Sequence, residues 1–476
     1  MSEPTSRSRA GGSPSVPTRA APLLARARDG RHAAPVRHVH LGLGAFFRAH
    51  QAWYTGRATD AAEWGIAAFG GRGAQLAATL TAQDCLYTLV TRGSDADTFE
   101  VVSSLSAAHG SADAGAWRGY LAATTTAVVS LTITEAGYRR NPSGGIDLRD
   151  EGVAGDMAAW RAGAPELAGT APARLAAGFA ARRAADAGPV TLLSCDNLPG
   201  NSEVALRVTA EFAAVVDEPL ADWIRMHVRP VNTLVDRITP ATTARDIAVV
   251  AERTGRADQC PVVTEPYSEW VLADTFAAEH PDWASAGALV TADVHPYEQR
   301  KLLLLNGAHS LLAYAAPLRG HLTVADAIDD PVVAGWVLDW WRATVPYVAL
   351  PRADCAAYCY ALLERFRNAR IQHQLAQIAA DGSQKLRVRV LPVLRPERAA
   401  GRLPAGVVRV LASWVTHLRG MGVPVADPAA ADLVAAIAST LGVDSARHAV
   451  EFLDRELAGD EDLVTAVAEL AAELSP

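Results

Sequence analysis

The sequence predicts a two-part α/β chain, in which a doubly wound parallel-sheet domain is followed by an all-helical one. Three observations carry this prediction. The run VRHVHLGLG from Val36 alternates, turns at Gly42 and Gly44 and becomes helical in pattern, the strand–turn–helix that sets a pyrophosphate on a helix N-terminus. Further apolar runs, WGIAAFG, TTAVVSLTI and PVTLLS, each break into a loop, as parallel strands do where their carboxyl ends line a ligand crevice. Beyond about Val290 strand-like runs largely disappear and helical patterns dominate. The expected organisation is a disordered leader over residues 1–34, a Rossmann-type dinucleotide-binding domain over 35–290 and a helical substrate and catalytic domain over 291–476.

The leader is rich in Ser, Pro, Arg, Ala and Gly and has no apolar periodicity. It lacks the continuous apolar core of a secretory signal; its composition is shared with transit peptides, and a plain tail is the simpler expectation. In the first turn the third glycine of GxGxxG is replaced by Phe47, so an ordinary glycine turn stands beside the cofactor-binding alternative. On the latter, Gly42, Gly44 and Phe46 approach a dinucleotide, joined by Thr134 and Glu135 after a later strand. After the second strand, from Trp64, a carboxylate would bind the ribose of NAD, but the chain offers Gly71, Arg72 and Gly73. Asp60 and Glu63 precede that strand, at its wrong end. Arg72 suits the 2′-phosphate of NADP, which leaves the cofactor form open.

PVTLLS runs into Cys195, Asp196 and Asn197, and Asn201 or Ser202 caps the following helix. Asn197 thereby has a route into the crevice; a turn asparagine is the alternative. In VNTLVDRITP, Asp236 beside Arg237 reads equally as an internal ion pair or as part of a site.

Bulk properties narrow the function. The 476 residues suit two domains, and half are hydrophobic. A net charge of −8 argues against general affinity for nucleic acid or anionic membrane. No apolar run reaches the roughly 20 residues of a membrane span. The five cysteines are few and scattered, which suits a reducing cytoplasm. Cys355 and Cys359 have no matching second pair nearby and read as small core residues, so no metal is expected.

The stretch YEQRKLLLLNGAHS, Tyr297 to Ser310, concentrates the candidate chemistry. At about 100° per residue, Asn306 lies about 140° and His309 about 80° around the helix axis from Lys301, so the three can face one cavity. Leu302 to Leu305 bury the segment, and buried polar groups must find partners or a ligand. Of the 44 cationic residues only Lys301 and Lys385 are lysines, leaving 42 arginines. A chain this biased uses arginine wherever charge suffices, whereas a desolvated lysine can act as a base. Tyr297 precedes Lys301 by four residues, as in short-chain dehydrogenases, but the pair sits before an apolar helix and not after a Rossmann strand. The same test fails at Lys385, where Asp381 takes the phenol's place.

HLGLGAFFRAH, AQDCLYTLV, TITEAGY, SCDNLPGN, VDRITP, EPYSEWVLADTF, KLLLLNGAHS and DGSQKL occur in that order. On these motifs, from about residue 36 to beyond 390, the chain resembles the long-chain mannitol dehydrogenase family, which includes mannitol 2-dehydrogenase, arabinitol dehydrogenase and fructuronate reductase. The resemblance implies a metal-independent, NAD(P)-linked oxidoreductase with a Rossmann-type N-terminal and a helical C-terminal domain. By position it makes Lys301 the general base, Asn197 and Asn306 oxyanion-type donors and His309 a substrate-orienting residue, with Asp236 and Lys385 further members of the substrate site. Pro230, Ala369 and Arg387 depart from the family pattern without removing any of these groups.

The segment from Arg365 through DGSQKL resembles the fructuronate reductase branch, which implies a sugar acid, D-mannonate or D-fructuronate, with Lys385 meeting its carboxylate. A polyol such as mannitol or arabinitol is the alternative, since lysine bonds hydroxyls equally well. A catalytically silent dinucleotide-binding sensor is a third reading; it would have no need of Lys301, Asn197, Asn306 and His309 together. NAD is the expected cofactor with NADP open, and a monomer is compatible with the sequence.

Overall fold

The computed structural model describes residues 21–71 and 73–475. Residues 1–20 of the expected leader, and Arg72, lie outside them. The leader expectation is corrected for residues 21–34, which pack on the body of the protein. Leu24 is buried, and Arg26–Asp29 forms a short helix. The Arg26 backbone N–H donates to Asp84 Oδ2 (2.9 Å), and Arg31 Nη2 donates to the Gly56 carbonyl (2.6 Å). Low-complexity composition concealed arginines that satisfy loop carbonyls.

Twelve strands are formed among the described residues: β1 (Val36–Leu41), β2 (Gly65–Phe69), β3 (Tyr87–Arg92), β4 (Asp97–Val102), β5 (Leu105–His109), β6 (Val128–Leu131), β7 (Val190–Ser194), β8 (Val228–Val231), β9 (Thr233–Asp236), β10 (Val262–Thr264), β11 (Glu269–Ala273) and β12 (Leu289–Thr291). Six of them build one sheet in the order β5-β2-β1-β6-β7-β8, every neighbouring pair parallel. Counted within the sheet this is the doubly wound order 3-2-1-4-5-6, with its switch point between β1 and β6. The central strands β2, β6 and β7 are buried throughout, which is why GIAAF, VVSL and VTLLS carry no alternation. Two histidines sit inside β1, and one hydroxyl of β6 serves both: Ser130 Oγ lies 2.6 Å from His38 Nε2 and 2.7 Å from His40 Nδ1.

Two small sheets flank the large one. β10, β3 and β4 form one, and β12, β11 and β9 form the other, which ends at Asp236 and leads toward the second domain. Beyond Thr291 the described residues form helices without a further strand. Their core surrounds the helix Gly307–Ala315, all of whose residues are buried. The expected architecture, a Rossmann-type sheet followed by a helical domain, is the one observed.

The segment before that buried helix corrects the sequence reading. Lys301–Asn306 is a π turn, closed by the Gly307 N–H on the Leu302 carbonyl, and not regular α-helix. The wider turn frees carbonyls that the α ladder would have used, and two indoles take them: Trp340 Nε1 donates to Leu303 O (2.9 Å) and Trp341 Nε1 to Leu304 O (2.8 Å). Gly307 permits this packing, since a Cβ there would lie 2.4 Å from Trp340 Cζ2. With i→i+5 bonding Asn306 comes one turn above Lys301, nearer its face than the 140° of an α-helix (about 100° per residue) allows.

Candidate active site

Lys301 is placed at the junction of the domains, half-buried, with its ammonium between two acceptors. Nζ donates to Asn197 Oδ1 (2.7 Å) and to the Val235 carbonyl (2.7 Å). Asn197 follows β7 at its carboxyl end, and Val235 lies in β9, so two sheets of the first domain position a side chain of the second. Because Asn197 accepts through Oδ1, its amide N–H groups are free to donate elsewhere. Burial pushes the Lys301 ammonium below its ordinary value of 10.5; Asp236 opposes that shift, and Arg365 and Arg389 reinforce it.

Asp236 is buried at the end of β9. Its sequence neighbour Arg237 is not its partner: Arg237 Nη1 donates to the Ala49 carbonyl (2.6 Å). Arg365, from the helix Arg352–Phe366, donates to Asp236 Oδ2 (2.8 Å) and Oδ1 (2.9 Å), and to Glu265 Oε1 (2.8 Å) and Oε2 (3.0 Å). Tyr358 on the same helix donates to Asp236 Oδ2 (3.0 Å). Burial alone would raise the Asp236 carboxyl, but the guanidinium outweighs it and holds the group at about 2. Asp236 is therefore an anion whose lone pairs are engaged by protein, acting on Lys301 through its field.

His309 is buried two turns along, its ring centroid 5.0 Å from those of Phe366 and His373. Burial keeps the imidazole neutral, and Nε2 has no partner among the described residues. Asn306 is partly exposed, and its carbonyl accepts from Arg389 Nη1 (3.2 Å). Lys385 is otherwise engaged: its Nζ donates to the carbonyls of Ile378 (3.2 Å) and Ala380. Arg365, Glu265, Tyr358 and Arg389 were not singled out from the sequence as site residues; only the fold shows which of the many arginines turn toward Lys301.

The described residues among those expected at a dinucleotide are compatible with one; Arg72 lies outside them. Gly42 adopts φ +120°, and a Cβ there would lie 2.2 Å from the Thr132 carbonyl, so only glycine lets β1 turn against the loop after β6. Gly44, Thr134 and Glu135 are exposed around this switch point, and Phe46 is partly so. Phe47, in place of the third glycine, turns inward and stacks on His40 at 3.6 Å, leaving the crevice to Gly42 and Gly44. Among the described residues no group of three or more His, Cys, Asp or Glu is disposed to hold a metal.

Known proteins share this two-domain fold. The mannitol dehydrogenase Rossmann domain matches residues 36–285, and the mannitol dehydrogenase C-terminal domain matches 293–474. D-mannonate oxidoreductase of Escherichia coli (strain K12) is 34% identical over 426 residues, covering 86% of each chain. The crystal structure of D-sorbitol dehydrogenase in substrate-free form superposes with a TM-score of 0.84 at 28% identity, covering 94% of this chain and 98% of that one. Pseudomonas fluorescens mannitol 2-dehydrogenase, in a ternary complex with NAD and D-mannitol, gives 0.76 at 32% identity, covering 93% and 92%. With both domains matched and the lysine site set against a dinucleotide crevice, the chain belongs to the mannitol dehydrogenase family and is an oxidoreductase acting on CH–OH groups.

Proposed function

We propose that the protein interconverts D-mannonate and D-fructuronate, with NAD as cofactor and Lys301 as the acid–base group. The observation that carries the chemistry is the pair of 2.7 Å bonds from Lys301 Nζ to Asn197 Oδ1 and Val235 O. A neutral amine has two N–H groups; both are taken, so its lone pair remains for the proton of a substrate hydroxyl. Protonated, the same nitrogen has one N–H to spare, which it gives to a carbonyl oxygen in the reverse direction. The free amide of Asn197, with that of Asn306 one turn above, donates to the oxygen as charge develops on it, a contribution of about 3–4 kcal/mol per well-placed donor. The chemistry a nicotinamide would supply when bound is the hydride exchange at the substrate carbon. Gly42, Gly44, Phe46, Thr134 and Glu135 would hold the dinucleotide, and the unpartnered His309 Nε2 would take a substrate hydroxyl.

The acid is favoured by the likeness of DGSQKL to the fructuronate reductase branch and by 34% identity to D-mannonate oxidoreductase. A second reading, a polyol substrate, is favoured by the mannitol bound in the Pseudomonas fluorescens structure. Cytoplasmic placement belongs to the same reading: all five cysteines are free, and no described helix is long and apolar enough to cross a membrane. Steady-state rates with mannonate, fructuronate, mannitol and arabinitol, each with NAD and NADP, decide the matter. Higher kcat/KM for mannitol or arabinitol than for mannonate overturns the acid; preference for NADP overturns the cofactor.

A further inference from the structure

Among the arginines around the catalytic helix, Arg300 pairs with Glu269, and Arg365 pairs with Asp236 and Glu265. Arg389, the last residue of the helix Gly382–Arg389, has no carboxylate partner among the described residues. Its Nη1 donates to the Asn306 carbonyl (3.2 Å) and to Ser310 Oγ (3.0 Å), which fixes the guanidinium against the helix that carries Asn306 and His309. Nε is buried without a partner, and Nη2 makes no hydrogen bond to a described residue. The guanidinium thus spends one nitrogen on protein and leaves the Nε–Nη2 edge, two parallel N–H groups with the spacing of a carboxylate, without a protein partner among the described residues.

We propose that this edge of Arg389, and not Lys385, receives the substrate carboxylate and sets selectivity for a sugar acid. The inference rests on the sugar-acid reading above. Lys385 has two of its three donors on backbone carbonyls, which anchors the turn at Ile378 and Ala380 and leaves no fork to offer. Arg389 carries a single charge, matched by one carboxylate, whereas a polyol hydroxyl leaves it uncompensated. The reach is also right. In D-mannonate the carboxylate is four C–C bonds from the reacting carbon, about 5 Å at ~1.5 Å per bond in a zigzag. Arg389 Nη1 is held at the Asn306 carbonyl, one turn along the helix axis from Lys301, a rise of about 5 Å. The unpartnered His309 Nε2 lies on the same helix and would take an intervening hydroxyl.

The test uses the full-length enzyme and the ratio of kcat/KM for mannonate to that for mannitol. In Arg389→Met this ratio should fall about 10- to 100-fold, chiefly through KM for the acid. Arg389→Lys keeps a charge but loses the fork, and should fall part of the way. The unaltered enzyme supplies an arm independent of folding: D-mannonamide, the neutral isostere, should be used at least tenfold less well than mannonate. A ratio unmoved in both variants, or an amide used as well as the acid, overturns the role of Arg389 while leaving the sugar-acid reading in place. An unaltered enzyme that prefers mannitol to mannonate removes both.

Discussion

Replacing Arg365 by methionine tests how the field around Lys301 is set. The guanidinium and its two carboxylates are only 3–4% exposed, so its removal strands two buried anions. Breaking such a pair costs about 3–5 kcal/mol, partly offset when one carboxylate takes up a proton. The effect on Lys301 has a definite sign. Arg365 now lowers the lysine, while Asp236 raises it. Without Arg365 the Asp236 charge acts on Nζ uncompensated, which raises the lysine. Oxidation needs the neutral amine, so its acid limb should move up, and kcat/KM at neutral pH should fall about tenfold or more, recovering at alkaline pH. Asp236→Asn should move the limb the other way. The assay is the pH profile of kcat/KM for alcohol oxidation, with thermal melts confirming the fold. A limb that stays in place in Arg365→Met, or that moves in the same direction in both variants, refutes the reasoning.

Lys301→Ala should lower turnover by about 10²- to 10⁴-fold while leaving the Kd for NAD within about twofold, since the amine acts on the alcohol proton alone; unchanged turnover at neutral pH removes the assignment. Gly42→Ala forces a Cβ to 2.2 Å from the Thr132 carbonyl at φ +120°, and should weaken NAD binding about tenfold or more by fluorescence titration; an unaltered Kd would place the dinucleotide elsewhere. Chelators should not inhibit, and activity lost to a chelator and restored by zinc contradicts the lysine mechanism. Burial holds His38 and His50 at about 3, below the ordinary 6.5, so the unfolded chain binds protons first as pH falls. Their contribution is full above pH ~6.5 and is lost from there down toward ~3, about 2 kcal/mol each by pH 5. A urea midpoint equal at pH 7 and pH 5 contradicts this.

The doubly wound sheet could be read from the chain because parallel strands buried on both faces are largely apolar and do not alternate, and β2, β6 and β7 follow that pattern. The crevice was legible for the same reason: polar loops follow those strands at Thr134 and Asn197. What the sequence concealed is geometry that arises only on packing. The π turn over Lys301–Asn306 is held by Trp340 and Trp341, whose indoles lie more than 30 residues downstream, so no local pattern announces it. The ordered stretch over residues 21–34 is similar: Arg26 and Arg31 are anchored by loop carbonyls distant in sequence, while the local composition is that of a tail.

The cations show most clearly where reading by residue type stops. With 42 arginines against two lysines, the bias drew attention to Lys301 and Lys385 because each had escaped replacement by arginine. For Lys301 this argument leads to an amine that the fold sets between Asn197 Oδ1 and the Val235 carbonyl, a group that can lose a proton as arginine cannot. For Lys385 the same argument pointed to a carboxylate, yet its ammonium rests on the Ile378 and Ala380 carbonyls, where a compact tetrahedral donor fits the end of a short helix better than a planar fork. The bias that exposed the lysines hid the arginines. Arg365 and Arg389 look like any of the other forty until the fold shows that one bridges two buried carboxylates and the other meets none among the described residues. A cation without a carboxylate partner is a property of arrangement, which residue type alone does not announce.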